Sequence, residues 1–143
     1  MLKSIPSELS PQLLKVLMEM GHGDEIVIAD GNFPSASHAN HLVRCDGLDI
    51  PTLLNAILKL LPLDTYSETS ITLMNVVPGD NYEPVIWKTY EEILENSKEE
   101  NIKIEYVDRF EFYERSKTCY AIVTTSEQSL YANIILKKGV VKK

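Results

Sequence analysis

Two side chains near the start of the sequence could do acid/base chemistry on a small molecule. His22 lies between Gly21 and Gly23, where the backbone can take unusual dihedral angles and come close to a ligand. Imidazole is the side chain that most readily gains and loses a proton near neutral pH. Asp30 follows the apolar run 25–29, which is typical of a buried strand, and open α/β sheets place ligands at the carboxyl ends of strands. The opposite ends of one strand are therefore predicted to deliver both side chains to a small-molecule site.

A plainer interpretation of this stretch stays open. Gly-His-Gly is also an ordinary turn sequence, and Asp30 is a residue type that commonly forms turns. A nucleotide-binding loop is not indicated, because no third glycine opens a helix and the strand follows the glycines instead of preceding them.

A metal site is not indicated either. His38 and His41 stand three residues apart and could join Asp30 around a metal, but no cysteine or acidic cluster accompanies them, so a solvated loop is favoured. Cys45 and Cys119 are far apart, lack metal-type spacing and lie in apolar contexts. Both are predicted to be buried free thiols in a reducing cytosol.

Composition limits the classes of partner. The chain has 143 residues, 44% of them hydrophobic, and a net charge of −7. This charge opposes non-specific nucleic-acid binding, and no apolar run approaches the ~20 residues of a membrane span. No signal peptide is expected at the N-terminus. We expect a single cytoplasmic domain over residues 1–143, with no membrane or nucleic-acid partner.

Hydrophobic periodicity and turn residues predict the elements that position these side chains. Long helices are expected to begin near Pro11, Pro51 and Pro84, the first of them ending at Gly21, and a short helix over 110–117. The predicted strands are 25–29, 42–46, 70–77, 102–107, 120–125 and 134–141, with a loop over 30–41 and a turn or short helix over 126–130. This alternation predicts an α/β fold: a three-layer α/β/α domain with a mixed, mostly parallel sheet.

Arg109 falls at the end of a predicted strand, as Asp30 does. A lone arginine there is more often a surface ion-pair partner than a ligand clamp. In the same way, Trp87 on the third long helix is favoured as a packing residue over a sugar-stacking platform.

Four blocks of sequence resemble the RbsD/FucU family of sugar mutarotases and pyranases. The first is M-G-H-G-D-E-I-V-I-A-D-G-N-F-P at 20–34. The others are D-R-F-E-F-Y-E-R at 108–115, A-I-V-T-T-S-E at 121–127 and Y-A-N-I-I-L-K-K-G-V at 131–140. Together they extend over nearly the whole chain. The second block, with the long helix before it, is more similar to the L-fucose branch than to the shorter ribose branch. One departure is Ser126, where relatives usually have glycine, and we expect it to change only the shape of that turn.

The resemblance implies a cofactor-free enzyme that interconverts the α and β anomers of a reducing sugar. His22 corresponds to the family's general acid/base, and Asp30 and Arg109 to residues that contact the sugar. Tyr131 and Asn133 correspond to residues that complete the pocket at a subunit boundary. Tyr113 and Tyr120 are further candidates for the pocket wall. Family members form rings, commonly decamers of two stacked pentamers.

These residue types suit the chemistry that the resemblance implies. Ring opening moves a proton off the anomeric hydroxyl and a proton onto the ring oxygen, with no redox step and hence no cofactor. Positioned acid/base catalysis contributes roughly 10²–10⁴-fold, which one imidazole can supply. Since Tyr131 and Asn133 lie far downstream of His22 in a chain without a second domain, a neighbouring subunit is predicted to complete the site. The alternatives are a ribose pyranase and a non-catalytic sugar-binding ring.

Overall fold

The structure is a computed structural model and describes residues 1–143. Its helices are α1 (Pro11–Glu19), α2 (Ser35–His38), α3 (Ile50–Leu58), α4 (Ile86–Asn96) and α5 (Arg109–Thr118). Its strands are β1 (Glu25–Ala29), β2 (Leu42–Cys45), β3 (Ile71–Met74), β4 (Ile104–Val107), β5 (Ala121–Thr125) and β6 (Ile134–Lys137). None of the helices combines the length and the apolar character needed to cross a bilayer.

The six strands form one sheet in the order β2-β5-β1-β6-β3-β4. β1, β2 and β5 pair in parallel, as do β3 and β4. β6 lies between β1 and β3 and runs antiparallel to both. The predicted mixed, mostly parallel sheet is confirmed, and its reversed strand is near the centre.

Burial on both faces explains why the strands are almost continuously apolar. Along β1, Ile26 and Ile28 pack into one core of 26 buried residues, together with side chains of α1, α3 and α4. Val27 and Ala29 point the other way into a smaller core, which includes Phe33 and residues of α5. This alternation produces the three predicted layers.

Three helices begin at a serine or aspartate whose side chain caps the helix N-terminus. The side chains of Ser10, Asp49 and Asp108 accept hydrogen bonds from backbone N–H groups in the first turns of α1, α3 and α5, at 3.1, 2.8 and 3.0 Å. Each satisfies one of the donors that a helix N-terminus leaves free. The predicted beginnings of the first two helices are confirmed.

Several boundaries differ from the prediction. One helical turn, α2, forms within the expected loop. β6 ends at Lys137 rather than residue 141, because the backbone beyond it bonds to the loop before β3. α1 ends at Glu19, and Gly23, not Gly21, takes a positive φ, of 86°.

The segment 137–139 joins two loops at one edge of the sheet. The N–H of Gly23 donates to the carbonyl of Lys138, and the N–H of Lys138 donates to the carbonyl of Asp24, both at 2.8 Å. On the other side, the N–H of Asp64 donates to the carbonyl of Lys137 at 3.0 Å, and that of Gly139 donates to the carbonyl of Pro62 at 2.8 Å. The turn around His22 and the loop around Asp64 are therefore held together by the end of β6.

Gly139 is the tightest point of this connection, and its replacement gives a first prediction. A Cβ at this position would lie 2.7 Å from the carbonyl carbon of Leu63 and 2.8 Å from the Cα of Asp64. Because both atoms belong to the backbone, the loop must move. We expect Gly139→Ala to lower the free energy of unfolding by about 1–3 kcal/mol, as overpacking does.

Urea denaturation followed by circular dichroism measures this change. Gly21→Ala is the matched control, since its Cβ would meet nothing closer than 3.7 Å and its φ is not positive. Equal stability of the two variants would contradict the packing argument.

Candidate active site

A cavity of about 230 Å³ opens at the carboxyl edge of the parallel strands. Five of the residues predicted for the site line it: Asp30, Arg109, Tyr113, Tyr131 and Asn133. Because β6 is reversed, its amino end lies at the same edge as the carboxyl ends of β1, β3 and β4. The fold thus brings together residues that are distant in sequence.

Asp30 is a buried carboxylate at the floor of this cavity, with 7% of its surface exposed. The N–H of Asn32 donates to Asp30 Oδ1 at 2.9 Å, and the N–H of Asp30 itself donates to Asn133 Oδ1 at 2.7 Å. Burial raises the pKa of the Asp30 carboxyl above its usual value, although hydrogen bonds from Asn32, Phe33 and Asn133 partly oppose the shift.

Tyr131 is held in a conformation that non-glycine residues rarely adopt. Its φ is 57°, in the left-handed region, where a Cβ costs about 1–2 kcal/mol. Its hydroxyl donates to Asp80 Oδ2 at 2.6 Å and accepts from the N–H of Val77 at 3.2 Å. Trp87 Nε1 donates to the carbonyl of Tyr131 at 2.9 Å. Strain of this kind persists only where the surroundings impose it, and it concentrates at functional sites.

Arg109 begins α5 at the mouth of the cavity. Its guanidinium carbon lies 5.4 Å from the ring centroid of Tyr113, within cation–π range. The predicted role of surface ion-pair partner is not what the structure shows, since none of the ion pairs in the chain includes Arg109. Its donors are available to a ligand.

Tyr120, predicted as a further wall residue, lies at the opposite edge of the sheet. Its hydroxyl donates to Glu19 Oε2 at 2.5 Å, and its ring stacks on His41 with the centroids 4.5 Å apart. It does not line the cavity, because it precedes β5, whereas the cavity lies beyond the carboxyl end of that strand.

His22 also lies at that opposite edge, away from the cavity. At ~3.3 Å per residue, β1 alone separates its two ends by roughly 13 Å. The expectation that one strand delivers both His22 and Asp30 to one site is therefore wrong within a single chain, since opposite ends of a strand face opposite edges of a sheet. His22 is 46% exposed and forms a 2.9 Å hydrogen bond between its Nε2 and Asp64 Oδ1.

Comparison with known proteins decides the family. The sequence profile of the RbsD / FucU transport protein family matches residues 3–141. The chain belongs to this family.

Individual relatives carry names that describe an activity. The chain is 53% identical to the fucose mutarotase of Mus musculus, with 96% of this chain and 94% of the relative covered. It is 46% identical to the L-fucose mutarotase of Actinobacillus pleuropneumoniae, with 98% and 97% covered. A solved structure, the fucose mutarotase of Streptococcus pneumoniae in complex with L-fucose, is 62% identical, covers 99% of this chain and 100% of its own, and has a TM-score of 0.94.

Ser126, where the resemblance leads us to expect glycine, is accommodated without backbone strain. Ser126 does not take a positive φ, so its turn does not need a glycine. Its hydroxyl accepts a hydrogen bond from the N–H of Gly47 at 2.7 Å. The next residue, Glu127, is buried and accepts from the N–H of Gly31 through its carbonyl at 2.9 Å. The loop below Asp30 therefore stays fixed.

Sequence reasoning missed several residues of the site. Met74, Val77 and Asp80 line the cavity because they lie at or beyond the carboxyl end of β3. The strand-end position that indicates Asp30 and Arg109 also indicates these three residues. Trp87, favoured as a packing residue, packs on Tyr106 with centroids 5.1 Å apart and also braces Tyr131. Nothing in the sequence indicates a functional role for Asp64, since a single aspartate shortly after Pro62 is typical of an ordinary turn.

The two cysteines are buried, and the histidines belong to no cluster of potential metal ligands. Cys45 and Cys119 are free and buried, as predicted, and burial raises the pKa of Cys119 to about 12. No group of three or more potential ligands is positioned to hold a metal ion. Free thiols suit a reducing compartment, and a cytoplasmic location stays a prediction.

The buried charge of Asp30 gives a second prediction. Since burial raises its pKa, ionisation costs folding free energy, and this cost is absent at low pH and grows as pH rises above the ordinary value of about 3.9. We expect Asp30→Asn to be more stable than the unaltered protein at pH 7. The difference should disappear towards pH 3.5.

Urea unfolding at the two pH values measures the difference. Asp80→Asn serves as the control, because hydrogen bonds from Tyr131 and Tyr82 lower the pKa of this exposed carboxyl, so the pH dependence should have the opposite sign. An Asp30→Asn variant that loses stability at pH 7 would show that the carboxylate is not a burden on the fold.

Proposed function

We propose that this protein is an L-fucose mutarotase, with one domain over residues 1–143 that exchanges the α and β anomers of the free sugar. The observation that carries the proposal is the small cavity in which Asp30, Arg109, Tyr131 and Asn133 converge. The names of close relatives, one of them solved with L-fucose, support the choice of sugar.

The cavity has the mixed lining that a monosaccharide requires. The Asp30 carboxylate would accept hydrogen bonds from sugar hydroxyls, and the Arg109 guanidinium would donate them; both are charge-assisted and orient the ring strongly. Phe33 and Met74 supply apolar surface for the C–H faces of the sugar. A cavity of this size is smaller than the ~300–1,000 Å³ of sites for drug-sized ligands, which suits one sugar ring.

The reaction needs one proton moved in each direction. In ring opening the anomeric O1 hydroxyl loses a proton, the C1–O5 bond breaks, and O5 gains a proton to become a hydroxyl. Rotation about C1–C2 and the reverse transfers close the ring on the other face. Within this proposal His22 is the general acid/base, since an imidazole can accept the first proton and return one to O5.

His22 would reach the sugar from a second copy of the chain. Its imidazole is half-exposed at the edge formed by the amino ends of the parallel strands (the amino edge), whereas the cavity lies at the carboxyl edge. A single chain therefore cannot place the imidazole and the cavity on one sugar. A homo-oligomer that joins the amino edge of one protomer to the carboxyl edge of the next would repeat one site at each contact, and a closed ring satisfies this head-to-tail geometry. A decamer of two stacked pentamers is the ring that we expect from the family.

Replacement of His22 tests the catalytic role. We expect His22→Gln to lower the catalysed α/β exchange of L-fucose by about 10²–10⁴-fold, because positioned acid/base catalysis contributes this much. Saturation-transfer NMR between the two anomeric protons measures the exchange. Thermal stability should change little, since the side chain is half-exposed.

His41→Gln is the matched control, because His41 lies at the same edge but its ring stacks on Tyr120. Exchange at the solvent rate with unaltered protein would exclude a mutarotase and leave a sugar-binding ring. Faster ring exchange for D-ribose than for L-fucose would indicate a pyranase.

Mixed assemblies test whether a site is shared between subunits. His22→Gln and Asp30→Asn should each be nearly inactive alone. We then co-express the two variants in equal amounts, so that they assemble at random. If each site takes its cavity from one chain and its imidazole from another, about one quarter of the sites would combine an intact cavity with an intact imidazole. We therefore expect about 25% of the unaltered exchange rate per site in the mixed assembly.

Assemblies containing both variants can be isolated with two different affinity tags. Co-expression of His22→Gln with itself, under both tags, gives the baseline. A mixed assembly no more active than this baseline would contradict a site built from two chains.

A further inference from the structure

Asp64 is a buried carboxylate aimed at the imidazole of His22. Its side chain is 2% exposed, and its Oδ1 lies 2.9 Å from His22 Nε2. It follows α3 by several residues, and its own N–H donates to the carbonyl of Lys137. The end of β6 therefore fixes Asp64 against the same backbone that fixes the His22 turn.

All four hydrogen bonds to the Asp64 carboxylate require it to accept. The N–H groups of Tyr66 and Ser67 donate to it, each at 3.1 Å, and Ser67 Oγ donates at 2.5 Å. The fourth partner is His22 Nε2. Burial alone would raise the pKa of the Asp64 carboxyl, but these hydrogen bonds outweigh it and hold the pKa well below its usual range.

An ionised carboxylate with no proton to give leaves His22 one choice of tautomer. Nε2 must carry the hydrogen that it donates to Asp64, so in the neutral ring Nδ1 has the free lone pair. In solution an imidazole is free to exchange between tautomers, and part of the population would present the wrong nitrogen. A carboxylate partner removes that population.

We propose that Asp64 is a positioning residue that holds His22 as the Nε2–H tautomer, so that Nδ1 is the atom that takes and returns the proton. This role rests on the proposed function. It resembles what a buried aspartate does for the histidine of a serine-protease triad, where an asparagine keeps the geometry but lowers the rate through the wrong tautomer.

The other groups near the ring do not make this contact. Asp24 Oδ2 accepts from the N–H of Gly21 at 2.7 Å instead. The ring of Tyr66 lies 5.3 Å from the imidazole between centroids, and Lys142 Nζ lies 5.7 Å from the Tyr66 ring. Asp64 is thus the carboxylate that bonds to His22, with Asp24, Tyr66 and Lys142 as the surrounding titratable groups.

The first measurement follows the histidine rings of the unaltered protein. Protein labelled with ¹⁵N in its histidine rings shows the tautomer of each imidazole directly, and His22→Gln assigns the signals of His22. At a pH where the ring is neutral, we expect hydrogen on Nε2. A ring with hydrogen on Nδ1, or with both forms in similar amounts, would overturn the proposal.

The second measurement is the exchange rate of Asp64→Asn. The asparagine side chain would bring an NH₂ group next to the donors of Tyr66, Ser67 and His22. If that NH₂ faces His22, Nε2 loses its acceptor or the ring changes to the other tautomer. We expect kcat for L-fucose exchange to fall about tenfold or more, and by no more than the ~10²–10⁴-fold that acid/base catalysis supplies. KM should stay within about twofold, because the sugar is held by the distant cavity residues.

Asp24→Asn is the matched control, since it removes a nearby charge without removing a partner of the ring. Its kcat and its tautomer should be unchanged. A rise in KM for Asp64→Asn at constant kcat would make Asp64 a sugar ligand and overturn the positioning role. Absence of exchange with unaltered protein would overturn the proposed function alone, because the tautomer of His22 is measured without turnover.

Discussion

The reversed strand β6, near the centre of an otherwise parallel sheet, is the constraint on which the rest of the structure depends. Its amino end delivers Tyr131 and Asn133 to the edge where the parallel strands deliver Asp30 and Arg109. Its carboxyl end ties the His22 turn and the Asp64 loop together through four backbone hydrogen bonds made by residues 137–139. One apolar segment, buried on both faces, therefore fixes both halves of the proposed chemistry at opposite edges. β6 pairs with a strand on each side, β1 and β3.

Two residues that line the cavity, Asp30 and Tyr131, lower the stability of the fold locally. Asp30 is a carboxylate whose ionisation is opposed by burial, and Tyr131 occupies a left-handed conformation without being a glycine. Helix α4 restrains the segment that carries Tyr131 from outside the cavity: Trp87 and Tyr90 donate hydrogen bonds to the carbonyls of Tyr131 and Ala132. Helix α4 thus supports the cavity without lining it. Supporting hydrogen bonds of this kind hold the polar groups of a site in position before a ligand binds.

Much of this could be predicted from the sequence. Pro11 with its Ser10 cap, the buried strand just before Asp30 and the general α/β alternation all depend on local patterns, and these patterns were sufficient to predict them. The partner of His22 could not be predicted, because Asp64 lies 42 residues away in sequence. Its loop reaches the His22 turn only because both bond to the end of β6. The separation of His22 from Asp30 follows from elementary strand geometry, yet the motif places the two so close in sequence that they suggested one site. Tyr120 lies away from the cavity of its own chain for the same reason: the two ends of β5 belong to different edges.

The account's central claim is that one sugar ring is held by the cavity of one chain while the imidazole of another moves its protons. A crystal structure of the protein soaked with L-fucose tests this most directly. The account predicts the sugar hydroxyls on Asp30 and Arg109, and the sugar's O1 or O5 within about 2.6–3.2 Å of the His22 Nδ1 of a neighbouring subunit, the range for proton transfer. A sugar seated in the cavity with no imidazole from any subunit near its anomeric centre would contradict it.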